Sequence, residues 1–252
     1  MSNVLMDKMK QGTPVYGPWV TTNSVDNVLM FGRAGVDCLI IDCEHGNMSM
    51  ETAGLMVSVS RQFPVSPLLR VPGNDPLWIK KGLDTGVDGI MIPMINSKEE
   101  AELAVSNCKY PPEGIRGLGA GRATNSFVDG NEYFNRANKD IMIILQIEHY
   151  KSVEQIEEIL SVPGIDVAFI GPYDLSVSMG IPSQTQHKDI ELAIKKVLKA
   201  CEKNAIVPGI FAGKAHLKNY RDMGFKLLLG GLDGHMLYEA ALEYKKAFEE
   251  ER

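Results

Sequence analysis

Eight short aliphatic or β-branched runs punctuate the chain, and longer stretches with apolar residues at helical spacing lie between them. The runs are VYGPWV (15–20), CLIID (38–42), VSPLLR (65–70), GIMIP (89–93), MIILQIE (142–148), VAFIG (167–171), IVPGIF (206–211) and KLLLGG (226–231). They predict buried strands. Segments such as DNVLMFGRAG, PLWIKKGLDTG, SVEQIEEIL and HKDIELAIKKVLKACEKN carry the helical period. RAGVD, DTGVD, VPGID and DMGFK each end a helix with glycine, the residue suited to a left-handed terminus, and then enter the next strand. Eight such βα units predict a closed parallel (β/α)8 barrel, a TIM barrel in the α/β class. An open doubly wound sheet is the alternative. However, no GxGxxG follows the first strand, and GLGAGR at 117–122 follows the turn-rich YPPEG.

The pattern reads as one barrel domain over residues 1–252, with a short amphipathic helix at the N-terminus in MSNVLMDKMKQG. Residues 109–138 interrupt it with a long loop rich in Gly, Pro and Asn. Because that loop leads into a strand, its expected place is the end of the barrel where strands begin. Loops of this length are commonly functional or contact another subunit. Arg116 and Arg122 within it read as structural or interface residues rather than catalytic ones.

Composition narrows the function. With 44% hydrophobic and 23% charged residues the chain reads as a soluble globular protein, and a net charge of −6 without a Lys/Arg cluster argues against nucleic-acid binding. The longest apolar run, IMIIL at 141–145, is far short of a membrane span, and the N-terminus does not read as a secretory signal. Cys38, Cys43, Cys108 and Cys201 form no CxxC pair, which suggests the cytoplasm, and Cys43 reads as a passive small residue.

Chemistry in such barrels gathers where the strands end. Those ends supply Trp19; Asp42, Glu44 and His45; Arg70; Pro93; Gln146 and Glu148; and Gly171, Pro172 and Asp174. Glu148 and Asp174 are about one βα repeat apart and so stand on neighbouring strands, roughly 4.8 Å apart. Two carboxylates with open positions for water and substrate suit Mg²⁺ or Mn²⁺. Asp174 also fits a helix N-cap ahead of LSVSMG. Arg70 offers a permanently charged fork for a carboxylate or carbonyl oxygen, or else a salt bridge to a local acid. His45 is the one histidine in a strand-end cluster, and Asp42 could orient its imidazole as a base. His149 is expected to point away from the Glu148 face, and His187, His216 and His235 read as surface or capping residues.

Two other enzyme classes fit less well. A Schiff-base aldolase needs a lysine in the mouth, whereas Lys226 starts its strand. A retaining glycosidase could use paired carboxylates but usually adds aromatic platforms, and the chain has two tryptophans.

Together DCEHGN (42–47), LLRVPGND (68–75), IKKGLDTGVDGIMIPMINSKEEAE (79–102), YPPEGIRGLG (110–119), QIEHYKSVEQIEEIL (146–160) and VAFIGPYDLSVSMG (167–180) resemble the HpcH/HpaI family of metal-dependent pyruvate aldolases. The likeness runs from about residue 15 to 240. It implies a barrel of the phosphoenolpyruvate/pyruvate type and Glu148 and Asp174 as ligands of a divalent metal (Mg²⁺, Mn²⁺ or Co²⁺), with no organic cofactor. It also implies Arg70 on the keto oxygen of pyruvate, an acid/base dyad of His45 and Asp42, and Asp84 reaching the site from a neighbouring subunit. Gln146 and the Gly171–Pro172 backbone would line the pyruvate pocket, and a homo-oligomer, specifically a hexamer, would be the assembly. Asp84 also reads as a local turn residue, and Glu44 as a supporting residue rather than a third ligand. Tyr173, His149 and Leu232 depart from the family's usual residues near the mouth, which bears on substrate identity.

The expected activity is reversible retro-aldol cleavage of a 4-hydroxy-2-oxo acid to pyruvate and an aldehyde. Two alternatives are a citrate-lyase-like enzyme acting on acyl-CoA esters and a non-catalytic metabolite-binding protein on the same scaffold.

Overall fold

The computed structural model describes residues 3–250. Eight parallel strands close into a barrel in chain order: β1 Val15–Val20, β2 Cys38–Asp42, β3 Ser66–Arg70, β4 Gly89–Ile92, β5 Met142–Ile147, β6 Val167–Ile170, β7 Val207–Phe211 and β8 Leu227–Leu232, with β8 pairing back to β1. Each predicted run matches its strand, with boundaries shifted by at most one residue. The four glycines expected to end helices all have positive φ, from 74° at Gly35 to 106° at Gly224.

Strand periodicity divides the core in two. Cys38, Ile40, Leu68, Met142, Ile144 and Phe169 belong to the cluster that fills the barrel, which Leu5, Met6 and Met9 of the helix Val4–Lys10 join. The alternate residues Leu39, Ile41, Leu69, Ile143, Leu145 and Ile147 pack outward beneath the surrounding helices. Continuing the inward set by one period-2 step reaches Asp42, Arg70 and Gln146, and a second step on β5 reaches Glu148. Strand parity therefore aims these four polar groups up the barrel axis, and all four are buried.

The insertion after the helix Lys98–Cys108 lies at the opposite end, as expected, but it is not all loop. It holds a 3₁₀ segment, Arg122–Phe127, and a helix, Gly130–Asp140, which corrects the expected loop of 109–138. That helix is polar overall, with few apolar side chains to mark it in the Gly- and Asn-rich stretch. Its Tyr133 and Phe134 pack on Tyr110, with ring centroids at 6.5 and 5.0 Å. Arg116 is buried here, stacked 4.5 Å over Tyr110 and paired with Asp84 at 3.1 Å, the structural role expected of it.

At the mouth, Asp233 ties β8 to the loop after β1. Its carboxylate accepts hydrogen bonds from the Thr21 and Thr22 backbones and hydroxyls and from the Asn27 amide. Burial alone would raise its pKa, but these bonds outweigh burial and hold it down to about 2. A depressed carboxylate stabilises the fold above its unfolded pKa, and the contribution is lost as pH falls through about 4 toward 2. Asp233→Asn is therefore expected to flatten the acid side of the stability profile, read as urea midpoints between pH 6 and 2.5.

Among the described residues no helix is long and apolar enough to cross a membrane.

Candidate active site

The parallel register makes Asp42 and Arg70 direct partners across β2 and β3. Arg70 Nε donates to Asp42 Oδ1 at 2.9 Å, and Nη2 donates to Oδ2 at 2.8 Å. Nη1 lies 2.9 Å from Glu44 Oε2, and the guanidinium sits 4.5 Å over the Trp19 ring. Arg70 carries five N–H groups. Two serve Asp42, while Glu44 Oε2 is an ion-pair neighbour of Nη1 that accepts no hydrogen bond, so the remaining N–H groups on the two terminal nitrogens are left to point at a ligand. A charge fixed on both sides and backed by an aromatic face is preorganised.

Glu148 stands just beyond β5 and is 3% exposed. Oε1 accepts the Met94 backbone N–H at 2.9 Å, and Oε2 accepts from Gln146 Nε2 at 2.5 Å. Met94 holds φ at 55°, a costly conformation for a side-chain-bearing residue, in the turn that delivers this donor. Burial pushes the Glu148 carboxyl up to about 7; the Met94 hydrogen bond opposes the rise, and the charges of Asp174 and Glu44 add to it. Burial likewise raises Glu44, against the pull of Arg70.

Gly171 is needed beside this carboxylate. A Cβ there would come within 2.8 Å of Glu148 Oε2 and 3.3 Å of Gln146 Nε2. Gly171→Ala is expected to displace Glu148 and, at the metal site that the resemblance implies, to weaken Mn²⁺ binding by about 10- to 100-fold, measured by titration calorimetry.

Asp174 lies in the first turn of the helix Pro172–Ser178, whose N-cap is Gly171. The capping role considered for Asp174 is thereby corrected: its position three residues inside the helix frees the carboxylate to line the cavity, where the helix N-terminus favours its charge. Among the described residues, no three His, Cys, Asp or Glu side chains form a ready metal cage. The donor chemistry nonetheless fits a hard divalent cation. The carboxylates Asp42, Glu44, Glu148 and Asp174 outnumber the single Arg70 charge, and Gln146 Oε1 is buried with no hydrogen-bond partner. Glu148 and Asp174 are the two that the sequence points to as ligands, with further positions left to water or substrate.

The structure redistributes the other expected roles. Asp42 does not orient the His45 ring: both of its oxygens grip Arg70, and Oδ1 also accepts the backbone N–H groups of Glu44 and His45 at 3.1 and 3.3 Å. It is a positioning residue for Arg70. The His45 side chain is 69% exposed on the cavity rim, with Nε2 4.0 Å from Glu44 Oε2. Asp84 closes the helix Pro76–Asp84 at the strand-start end of the barrel, so within one chain it is not at the mouth. His149 caps the helix Tyr150–Glu154, its Nδ1 accepting from the Lys151 N–H at 3.2 Å. Cys43 is buried with its thiol pushed up to about 12 by burial and by Asp42, consistent with a passive role.

Asp42, His45, Arg70, Gln146, Gly171, Pro172, Tyr173 and Asp174 all line one cavity of about 210 Å³. That is smaller than the ~300–1,000 Å³ of sites for drug-sized ligands, and suits a small metabolite. The chain matches the family described as HpcH/HpaI aldolase/citrate lyase over residues 16–240. A curated relative from Klebsiella pneumoniae, named 4-hydroxy-2-oxo-heptane-1,7-dioate aldolase, is 34% identical over 96% of this chain and 92% of its own.

The chain belongs to the HpcH/HpaI aldolase/citrate lyase family.

Solved structures agree. An HpcH/HpaI aldolase from Desulfitobacterium hafniense superposes with a TM-score of 0.90 at 34% identity, covering 97% of this chain and 96% of that one. A family protein from Burkholderia cenocepacia reaches 0.94 at 30% identity over 98% and 100% of the two chains.

Two features of this family member's site were not assigned from sequence. One is the Met94 backbone donor, whose only trace is its place just after a strand. The other is the apolar wall of Phe169 and Phe211, which inward parity on VAFIG and the end of VPGIF could have revealed.

Proposed function

We propose that the protein is a divalent-metal-dependent carbon–carbon lyase that reversibly cleaves a 4-hydroxy-2-oxo acid to pyruvate and an aldehyde. The observation that carries this reading is the pairing of Arg70, hydrogen-bonded to Asp42 and ion-paired with Glu44, with the buried Glu148 carboxylate, which the nearby charge of Asp174 helps to raise. A cation held by Glu148 and Asp174 would supply Lewis acidity toward the oxygens of the 2-oxo acid.

The residues of the chain do the rest. Arg70 turns remaining N–H groups of its terminal nitrogens to the C2 oxygen and stabilises the negative charge that develops there. His45, at the open rim, takes the proton of the C4 hydroxyl directly or through water. As that proton leaves, the C3–C4 bond breaks. C4 becomes the aldehyde carbon, and the bond's electron pair becomes the enolate of pyruvate. Return of a proton to C3 completes pyruvate, and the reverse sequence forms the bond. Gln146 and the Gly171–Pro172 turn frame the pyruvate end, and Asp42 keeps Arg70 aimed.

Glu44 Oε2 stands 4.0 Å from His45 Nε2, and among the described residues no carboxylate hydrogen-bonds the His45 ring. A homo-oligomer that brings Asp84 of a neighbouring copy to His45 would supply one.

The test is release of pyruvate from a panel of 4-hydroxy-2-oxo acids, followed by coupled reduction to lactate. Turnover with at least one member is expected. Failure across a panel of varied chain length and charge, with Mg²⁺, Mn²⁺ and Co²⁺ each supplied, would overturn the proposal.

A further inference from the structure

The buried Glu148 carboxylate takes one of its hydrogen bonds from a strained turn, and the surroundings of that turn show how it is held. After β4 the chain runs through Pro93, Met94, Ile95 and Asn96 to Ser97, the N-cap of the helix Lys98–Cys108. Extended backbone alternates with a period of two, so neighbouring N–H groups point apart. Met94, with φ at 55°, breaks that alternation. The N–H groups of Met94 and Ile95 both serve the end of β5, the first donating to Glu148 Oε1 at 2.9 Å and the second to the Gln146 carbonyl at 3.3 Å. Pro93 and Ile95 are buried on either side of the turn, and the Met94 side chain is exposed. What Met94 gives the site is its backbone.

A residue with a side chain keeps a positive φ only where its surroundings over-determine it. Here a chain of hydrogen bonds does so. Asn96 Nδ2 donates to the Met94 carbonyl at 3.0 Å and closes the turn. The Asn96 N–H donates to Glu100 Oε2 at 2.6 Å, and Ser97 Oγ accepts the Glu100 N–H at 3.3 Å. This is a variant of the capping box, in which the acid at the third helical position reaches back past the cap. The first turn of the helix is tied in turn to the loop after β3, because Asn74 Nδ2 donates to the Glu100 carbonyl at 2.9 Å. The strand before that loop carries Arg70. One network thus runs from the loop that follows Arg70, through Glu100, Asn96 and Met94, to the Glu148 carboxylate.

We propose that Asn96 and Glu100 are positioning residues of the site that act through the backbone of Met94. They hold its left-handed turn, so that the Met94 N–H fixes the Glu148 carboxylate in one orientation for a divalent cation. What the carboxylate does there rests on the metal-dependent lyase reading of the same site; how it is held does not.

Two readouts separate the positioning from the chemistry it serves. In metal-free protein labelled with ¹⁵N-methionine, the Met94 amide resonance, identified by its absence from Met94→Leu, reports the hydrogen bond to Glu148. It is expected to move upfield in Glu148→Gln, in Asn96→Ala and in Glu100→Ala. Titration calorimetry with Mn²⁺ then reads the consequence. Asn96→Ala is expected to weaken binding by about 10-fold or more. Adding Met94→Gly to that variant is expected to recover most of the loss, because glycine takes a positive φ without being held there. General damage to the turn would be deepened by glycine, so the rescue is specific to positioning. A Met94 resonance unmoved in Asn96→Ala, or a lost Mn²⁺ affinity that Met94→Gly does not restore, overturns the proposal. If the unsubstituted protein takes up no Mn²⁺, the metal reading fails, and the amide shifts alone decide whether Asn96 and Glu100 hold the turn.

Discussion

Glu148→Gln is expected to weaken divalent-cation binding by about 100-fold or more and to abolish measurable lyase turnover. The substitution keeps the shape of the side chain and removes one charge from the carboxylates grouped near Arg70. A stability signature should accompany the loss. In the cation-free protein Glu148 is pushed up to about 7, chiefly by burial. A raised carboxylate binds its proton more tightly folded than unfolded, so its ionisation opposes folding as pH rises from about 4.5 through 7. With EDTA present, Glu148→Gln should therefore gain stability over the unsubstituted protein at pH 8 and lose that gain at pH 4.5. Thermal melts at the two pH values read both effects. A variant destabilised equally at both would contradict the assigned environment of Glu148.

Arg70→Leu is expected to damage both fold and chemistry. Asp42 is 1% exposed, and Arg70 satisfies both of its oxygens. Removing one partner of a buried pair leaves an uncompensated charge at a cost of about 3–5 kcal/mol, or roughly 10 °C in Tm for a chain of this size. Replacing Asp42 as well should recover much of that stability, because the stranded carboxylate is gone. Activity should not return, since no positive charge then faces the C2 oxygen. Arg70→Lys keeps a charge but cannot fork onto Asp42 while donating to substrate. It should retain most of the stability and lose about 10²–10³ in kcat. Recovery of activity in the Asp42→Leu/Arg70→Leu double variant would remove Arg70 from the mechanism.

These two residues also mark how far the sequence alone could be read. Strands such as CLIID and VAFIG were legible because a parallel barrel buries them on both faces, which leaves short apolar runs with turn signals at each end. Strand alternation then carries Gln146 and Glu148 to the same side without further information. Partnership across strands was another matter. Asp42 lies three positions from His45 in the chain, and that proximity suggested a dyad. The register of β2 against β3 instead gives Asp42 to Arg70, a pairing that nothing local in the sequence encodes. The helix Gly130–Asp140 was hidden for a related reason: its segment is polar overall, and its apolar side chains Tyr133 and Phe134 find a partner in Tyr110 from across the insertion. Asp84 shows the same limit at the scale of the assembly. Its own chain places it beside Arg116 at the far end of the barrel, and any part it has in the chemistry depends on a second copy.

A divalent cation held by Glu148 and Asp174 and acting with Arg70 on a 2-oxo acid is the central requirement of the proposed chemistry. The most direct test is pyruvate release from the best 4-hydroxy-2-oxo acid after removal of metal with excess EDTA, then after re-addition of Mg²⁺ or Mn²⁺ to excess over the chelator. The expected result is loss of turnover with EDTA and its recovery with the metal in the native protein, without recovery in Glu148→Gln. Pyruvate released at the same rate with and without EDTA would contradict it.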